Sequence, residues 1–421
     1  MNRSSRSRRL SALLLSVALC QAAAFTSPAS AQWSRFRGPN GAGVSQTTTV
    51  PVTWGESDFT FRAALPGVGH GSPVIWGQRL FMASGEESSG VRILGCYSTK
   101  DGSELWSHRY ESGTHSKHAL NSFASTTAAA NERVVVFCWG TPKQILMTAF
   151  THQGRELWKR DLGPFKSGHG FGVSPIIEGK LAIIPIEHGG QSAVVAVELT
   201  SGEVRWKHVR DSKLHYATPC IRRSGKSDAE VIVTNWKQGV TALSAKTGAV
   251  VWDADVFDKQ HVESSIGSPV IAGDLVLGVC GWLGYGNEVV AVKPPASSTG
   301  AAEVKYRIKR GAPLCTTPLV VDELLFLWSD NGIVTCANAK TGESYWRKRV
   351  KGNYYSSPIA VGGRIYNVNT EGRVFVLAAS QQFEQLAENT IGESSHSSPA
   401  VANGTLYWRT FTHLIALGPA K

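Results

Sequence analysis

The chain has 421 residues, rich in glycine (43) and tryptophan (13), poor in methionine (3), with 18% charged side chains. That length admits two or three ordinary domains or one large all-β domain; short Val/Ile/Leu runs broken by Gly, Ser and Asn, with no long stretch of helical period, select the second. The formal charge of +11 comes without a Lys/Arg block or an RNA-binding motif, so it reads as surface bias and excludes nucleic acid as a partner.

The first 31 residues are set apart from the rest. Arg3, Arg6, Arg8 and Arg9 form a basic head, an apolar run follows from Leu10 to about Ala24, and Ser27-Pro28-Ala29-Ser30-Ala31 supplies small residues for a signal peptidase. A cleaved export signal over 1–31 is expected, which places the mature chain in the periplasm or outside the cell. The apolar run is too short to span a bilayer comfortably, and no second transmembrane candidate follows. Cys20 follows Leu19 and not a small residue, so a lipid anchor is not expected. Cleavage removes four arginines and no acid, taking the charge from +11 to about +7. Residues 32–53 then read as an N-terminal arm, ahead of a repeat domain over 54–421.

Two markers recur in phase along that domain. Gly-x-x-x-Trp occurs at Gly102–Trp106, Gly154–Trp158, Gly202–Trp206, Gly248–Trp252 and Gly342–Trp346, with Trp spacings of 52, 48, 46 and 94. The last is a double step, so one unit has lost its Trp, and Tyr306 stands near the expected strand. A Ser/Thr-Pro pair opens a short apolar run at Pro73, Pro175, Pro219, Pro269, Pro318, Pro358 and Pro399, and Thr126-Thr127 takes the equivalent place in one further unit. Eight units with a period of about 40–55 residues each fit one four-stranded propeller blade, strands A to D. Proline is tolerated at the first strand position because its missing N–H can fall outside the ladder.

Closure is the independent check. The final unit supplies Ser398-Pro-Ala-Val, Leu406-Tyr-Trp and Leu414-Ile-Ala-Leu and then ends without a fourth strand, whereas Trp54 to Leu65 precedes the first Ser-Pro and has outer-strand character. Pairing these two ends in one blade closes the ring and removes an exposed seam. The expected fold is all-β: an eight-bladed propeller of four-stranded antiparallel blades, sealed by the N-terminal strand.

Ala242 to Trp252 and Cys336 to Trp346, with Ala196 to Trp206 close behind, resemble the tryptophan-docking motif of quinoprotein-type (PQQ-like) propeller repeats. Trp33-Ser-Arg-Phe-Arg-Gly-Pro-Asn-Gly is similar to an opening found in exported members of that group. The resemblance covers roughly residues 33–418 and implies that each Trp stacks on the next blade, one large flat side chain per interface burying about 150–250 Å2. One branch of the family oxidises alcohols with pyrroloquinoline quinone and Ca2+. It uses a Trp beneath the cofactor, a catalytic Asp and typically a disulfide between adjacent cysteines. This chain has no Cys-Cys pair, and no Asp/Asn/Glu set matches the metal ligands position by position, so no catalytic residue, cofactor or metal is carried over. PQQ with Ca2+ stays as the alternative. The other branch, the propeller lipoprotein of the outer-membrane β-barrel assembly machinery, holds no cofactor and binds partner segments.

Six cysteines remain after cleavage, spread over the blades, with Cys96 and Cys336 in a slot that Ala fills elsewhere; small buried packing is expected, and no CxxC or CxxH zinc pattern exists. The D-to-A and B-to-C connections of a propeller share one face, and most histidines fall there, as do the tryptophans that end B strands. His70, His169, His215, Trp236, Glu263, Trp282, Tyr355 and His396 are therefore the candidate ligand-contacting residues. Such a mouth suits a protein segment or a small polar ligand with flat apolar faces. The competing reading is that long D-to-A connections collect polar residues by default and that the tryptophans pack the rim. The expectation is a monomeric, exported binding or scaffold propeller, non-catalytic. Its alternatives are a quinone-dependent oxidoreductase and a cell-envelope assembly factor.

Overall fold

The computed structural model describes residues 32–47, 50–213, 215–225, 228–260, 264–282, 285–296 and 300–419. The signal peptide expected over 1–31 lies outside them, and no described helix is long and apolar enough to cross a membrane. Eight antiparallel sheets form the eight expected blades. Blade I comprises Val74–Trp76, Arg79–Gly85, Arg92–Ser98 and Glu104–Tyr110; blade VIII comprises Ala400–Ala402, Thr405–Arg409, His413–Leu417 and the N-terminal strand Phe59–Ala64. That strand pairs antiparallel with His413–Leu417, Arg62 opposite Ile415, so the ring closes through the segment anticipated at 54–65.

In six of the eight blades the short A strand is followed by a two-residue turn; blade II has three residues there and blade IV seven. In blades VI and VIII Asp322 and Asn403 take the left-handed conformation (φ 53° and 50°) that Gly273 takes in blade V (φ 62°). These are the short polar residues that tolerate it. Every C–D pair carries a bulge at one place, and the C-strand residue just before it is small in most blades: Cys96 faces Trp106, Ala149 faces Trp158, Ala196 faces Trp206, and Cys336 faces Trp346. Ala291 faces Tyr306 in the same register, which identifies Tyr306 as the replacement for the missing Trp.

The core lies between blades. Each hydrophobic cluster joins neighbouring sheets, as where Met147 and Ala149 of blade II meet Ile184 and Val195 of blade III. The docking residues clamp these interfaces. Trp106 Nε1 donates to His152 O (2.9 Å), Trp158 to Leu199 O (2.8 Å), Trp206 to Ala245 O (3.0 Å) and Trp346 to Ser380 O (3.0 Å), each on the following blade. Tyr306 does the same through its hydroxyl to Ala339 O (2.7 Å). A β-carbon at Gly202 would sit 2.7 Å from Trp158 Cδ2, so the glycine of each motif is needed as a landing for the preceding blade's ring. The six cysteines among the described residues are free, five buried and Cys315 half-buried.

The Ser/Thr that precedes each A strand has a second function. Ser72 N–H donates to Thr127 Oγ1, Thr127 N–H to Ser174 Oγ, Thr218 N–H to Ser268 Oγ, Ser268 N–H to Thr317 Oγ1, Thr317 N–H to Ser357 Oγ and Ser357 N–H to Ser398 Oγ, at 2.8–3.1 Å. Six of the eight blade-to-blade steps around the axis are thus hydrogen bonded from backbone to hydroxyl. Such a bond satisfies an N–H that proline's neighbour could not give to the ladder.

The N-terminal arm fills the axis. Gln32 and Trp33 pair antiparallel with Trp76 and Ile75, so the arm rises from the A-to-B end of the channel; Val44 and Ser45 pair parallel with Ala360 and Val361, so it returns to the same end. Between these strands Ala130 N–H donates to Ser34 O, the Arg35 guanidinium donates to Pro219 O, and Asn40 bonds both backbone groups of Ile221. Arg37 donates to Pro318 O (2.9 Å) and Pro358 O (3.0 Å). The arm therefore ties the innermost strands of blades I, II, IV, VI and VII to one another.

Candidate functional site

With the channel filled from one end, the other end is a funnel of about 310 Å3. All eight D-to-A connections line it. Blade by blade they supply His70 and Ser72, then His118 and Thr127, His169 and Ser174, Tyr216 and Thr218, Ile266 and Ser268, Leu314 and Cys315, Tyr355, and finally His396 and Ser398. Phe36, at the top of the arm, joins this lining from the axis.

The upper wall is aromatic. His70 and His396 lie with ring centroids 4.6 Å apart, Tyr355 stands edge-on to His396 at 4.9 Å, and Phe411 packs on both histidines. Across the mouth His118 and His169 stack at 5.5 Å. Burial, followed by the nearby His396 and Arg409, drives His70 down to about 3; burial also lowers His396 and, with His118, His169. These imidazoles are neutral at neutral pH. The Nδ1 atoms of His70, His169 and His396 have no partner among the described residues. No Asp, Glu, Lys or Arg side chain borders the funnel among the described residues.

Five of the eight candidate residues meet here: His70, His169, Trp282, Tyr355 and His396. His215 does not. It is buried in the wall between blades III and IV, beside the fully buried ion pair of Glu187 and Arg210 (3.0 Å), and its neighbours Tyr216 and Thr218 take the lining positions. Trp236 does not line the funnel either; it packs on the blade IV–V cluster and donates to Lys213 O (3.2 Å). Glu263 lies outside the described residues. The tryptophans that end B strands behave as rim packing with one exception. Trp328 and Trp408 are wholly buried between blades and Trp139 donates to Ser112 Oγ, so Trp282 alone of that set reaches the cavity. Sequence reasoning passed over Tyr216, whose odd–even alternation with His215 was the available signal, and Phe36, for which no local signal existed.

The residues present do not fit a calcium-bound quinone. Ca2+ takes six to eight oxygens, carboxylates foremost, and the described lining offers hydroxyl and amide oxygens but no carboxylate; no three His, Cys, Asp or Glu side chains among the described residues are grouped to hold a metal. The thiol in the funnel lining, Cys315, is pushed up by burial and by Asp330 and is no nucleophile at neutral pH.

Comparison with known proteins agrees with this architecture. The chain is 22% identical over 316 residues to an outer membrane protein assembly factor BamB from Yersinia pestis, covering 72% of this chain and 75% of the relative. The crystal structure of BamB from Moraxella catarrhalis superposes with a TM-score of 0.61 at 16% identity, covering 85% of this chain and 98% of that one. A quinohemoprotein alcohol dehydrogenase from Comamonas testosteroni superposes at 0.65 with 11% identity, covering 93% and 82%, a likeness of fold alone. The family model described as outer membrane protein assembly factor BamB matches residues 34–213, 142–299 and 296–420 in overlapping stretches, and the chain belongs to that PQQ-like propeller family.

Proposed function

We propose that this chain is an exported, non-catalytic scaffold of the cell envelope that holds a protein segment or a small polar ligand in the funnel on its D-to-A face. The single observation that carries the reading is the convergence of all eight D-to-A connections, with Phe36, on one cavity that no Asp, Glu, Lys or Arg side chain borders among the described residues. Aromatic walls with few polar groups at fixed points are the usual make-up of a binding site. A rigid ring that ties its inner strands together through an arm and a hydrogen-bonded Ser/Thr circle holds those points still, which lowers the ordering cost of binding. Nothing in the lining combines a nucleophile with a base and an orienting group among the described residues, the geometry hydrolytic or transfer chemistry needs.

A role in outer-membrane protein assembly is the second reading, favoured by the family description that spans residues 34–420. It places the mature chain in the periplasm, consistent with the basic-apolar-small pattern of residues 1–31. Both readings are tested by photo-crosslinking in the native envelope with p-benzoylphenylalanine at Tyr355, in the funnel, and at Asp274, in an A-to-B turn of the opposite face. A discrete adduct from position 355 alone is expected. Adducts from 274 alone, or equally from both, would sink the assignment of the binding face. Loss of folded outer-membrane barrels in a strain carrying only Tyr355→Ala together with Trp282→Ala would favour the assembly role over a small-ligand role.

A further inference from the structure

The lower funnel is built of hydrogen-bond donors. A hydroxyl has one proton and two lone pairs. Thr127, Ser174, Ser268 and Ser398 line the cavity, and each already accepts a backbone N–H from the preceding blade at 2.8–2.9 Å. None of the four has an acceptor for its own proton among the described residues. Ser72 and Thr218 line the same level, and their hydroxyls make no hydrogen bond to the described protein. Six O–H groups around the axis thus have no acceptor among the described residues.

Positive charge lies directly beneath. Arg35 and Arg37 flank Phe36 and are buried, 6% and 0% exposed. Among the described residues their guanidiniums bond only carbonyls: Arg35 that of Pro219, Arg37 those of Gly41, Pro318 and Pro358. Pro219, Pro318 and Pro358 each follow a residue of the Ser/Thr circle, so these cations stand one residue below it. Neither has a carboxylate partner among the described residues, although the protein does pair a buried guanidinium elsewhere, at Arg210–Glu187. Arg409 repeats the pattern beside His70, bonded to Ala83 O, Gly67 O and Ser84 Oγ. Burial lowers Arg35 to about 10 and Arg37 to about 9, so both remain charged at neutral pH. A buried cation without a counter-charge is costly, and a ligand of opposite sign above it offsets that cost.

From the donor circle and the unpaired guanidiniums we infer that the funnel selects anions and takes a small organic carboxylate with a flat apolar body: the carboxylate goes down onto the hydroxyls, the body up between the imidazole and tyrosine faces. This rests on the reading of the funnel as a binding site and adds the sign of the ligand's charge. The adjoining cavity, about 570 Å3, is bordered by cations: it shares Leu314, Cys315 and Tyr355 with the funnel and adds Lys309, Arg310 and Arg347. Its carboxylate, Asp330, is already engaged by the N–H groups of Leu314 (2.7 Å) and Cys315 (2.8 Å).

The test is isothermal titration of the mature chain, at neutral pH and low salt, with benzoate, benzamide and benzylamine, which share a ring and differ in charge. Benzoate is expected to bind at least about tenfold tighter than benzamide, with benzylamine weakest. Ser72→Ala with Thr218→Val removes two hydroxyls that hold nothing in the protein and leaves the N–H donors of the circle intact. It should weaken benzoate roughly tenfold or more and benzamide, whose carbonyl oxygen accepts without a charge, by clearly less, with an unaltered thermal melt. Equal binding of benzoate and benzamide, a preference for benzylamine, or no benzoate binding at millimolar concentration would each overturn the anion assignment. The adduct from position 355 reports separately on whether the funnel binds at all, so the two readings fail by different measurements.

Discussion

Gly202→Ala tests whether the blade interfaces are set by one ring landing on one glycine. Gly202 has φ 71°, and a β-carbon there would lie 2.7 Å from Trp158 Cδ2. The left-handed conformation costs an L-residue about 1–2 kcal/mol, and forcing a methyl against a packed ring about 1–3 kcal/mol more, so about 2–5 kcal/mol in all. Trp158 is 8% exposed and donates to Leu199 O, and truncating it to alanine should cost about 3–5 kcal/mol alone. The two changes are not independent. With the indole gone the three closest contacts of the new methyl go with it, and Gly202→Ala should then cost mainly the conformational part, about 1–2 kcal/mol, leaving a coupling of about 1–3 kcal/mol. Urea unfolding of the wild type, both single variants and the double variant, followed by circular dichroism, measures the cycle as shifts of midpoint at constant slope. An equal cost of Gly202→Ala in the two backgrounds would refute the docking account and reduce that glycine to a turn residue.

Two further outcomes follow from the same geometry. Phe61 sits in the closing strand at the place of a docking residue, and a β-carbon at Gly102 of blade I would lie 2.7 Å from its ring. Phe61→Ala should lower stability by about 2 kcal/mol and expose the seam between blades VIII and I to limited proteolysis near residue 60; resistance equal to the wild type would contradict closure at that point. The protein should also lose stability on mild acidification. His70 is held neutral down to about 3, chiefly by burial, against about 6.5 for a histidine in the unfolded chain, and His169, His215 and His396 are shifted the same way. Between those values the unfolded chain binds more protons than the native one. Stability is therefore complete above pH 6.5 and falls below it, by about 1.4 kcal/mol per pH unit for one such group. A urea midpoint lower at pH 5.5 than at pH 7, with a smaller drop in His70→Gln, is expected; equal midpoints in the wild type would show these imidazoles to be ordinary.

Much of this was legible before any coordinates, because a propeller repeats its local rules. The Gly-x-x-x-Trp spacing gave the blades, the double step of 94 pointed to the unit where Tyr306 replaces Trp, and the missing fourth strand at one end matched the surplus strand at the other. Period-2 patterning, turn chemistry and one large ring per interface are properties of neighbours in the chain, so the chain displays them. The Ser/Thr-Pro pairs were visible as phase markers, yet their hydrogen-bonded circle was not, since each bond joins residues 40–55 positions apart.

The site divides along the same line. That His70, His169, Tyr355 and His396 belong to one face followed from strand order, which the sequence alone determined. Which residues turn inward was decided by tertiary structure, through the twist of each connection: Tyr216 faces the funnel and His215 the wall. The floor was beyond reading altogether. Arg35, Phe36 and Arg37 stand on the axis because their arm bonds backbone carbonyls of blades that are far away in sequence, and carbonyls are the same at every position; only the assembled ring brings the right ones together.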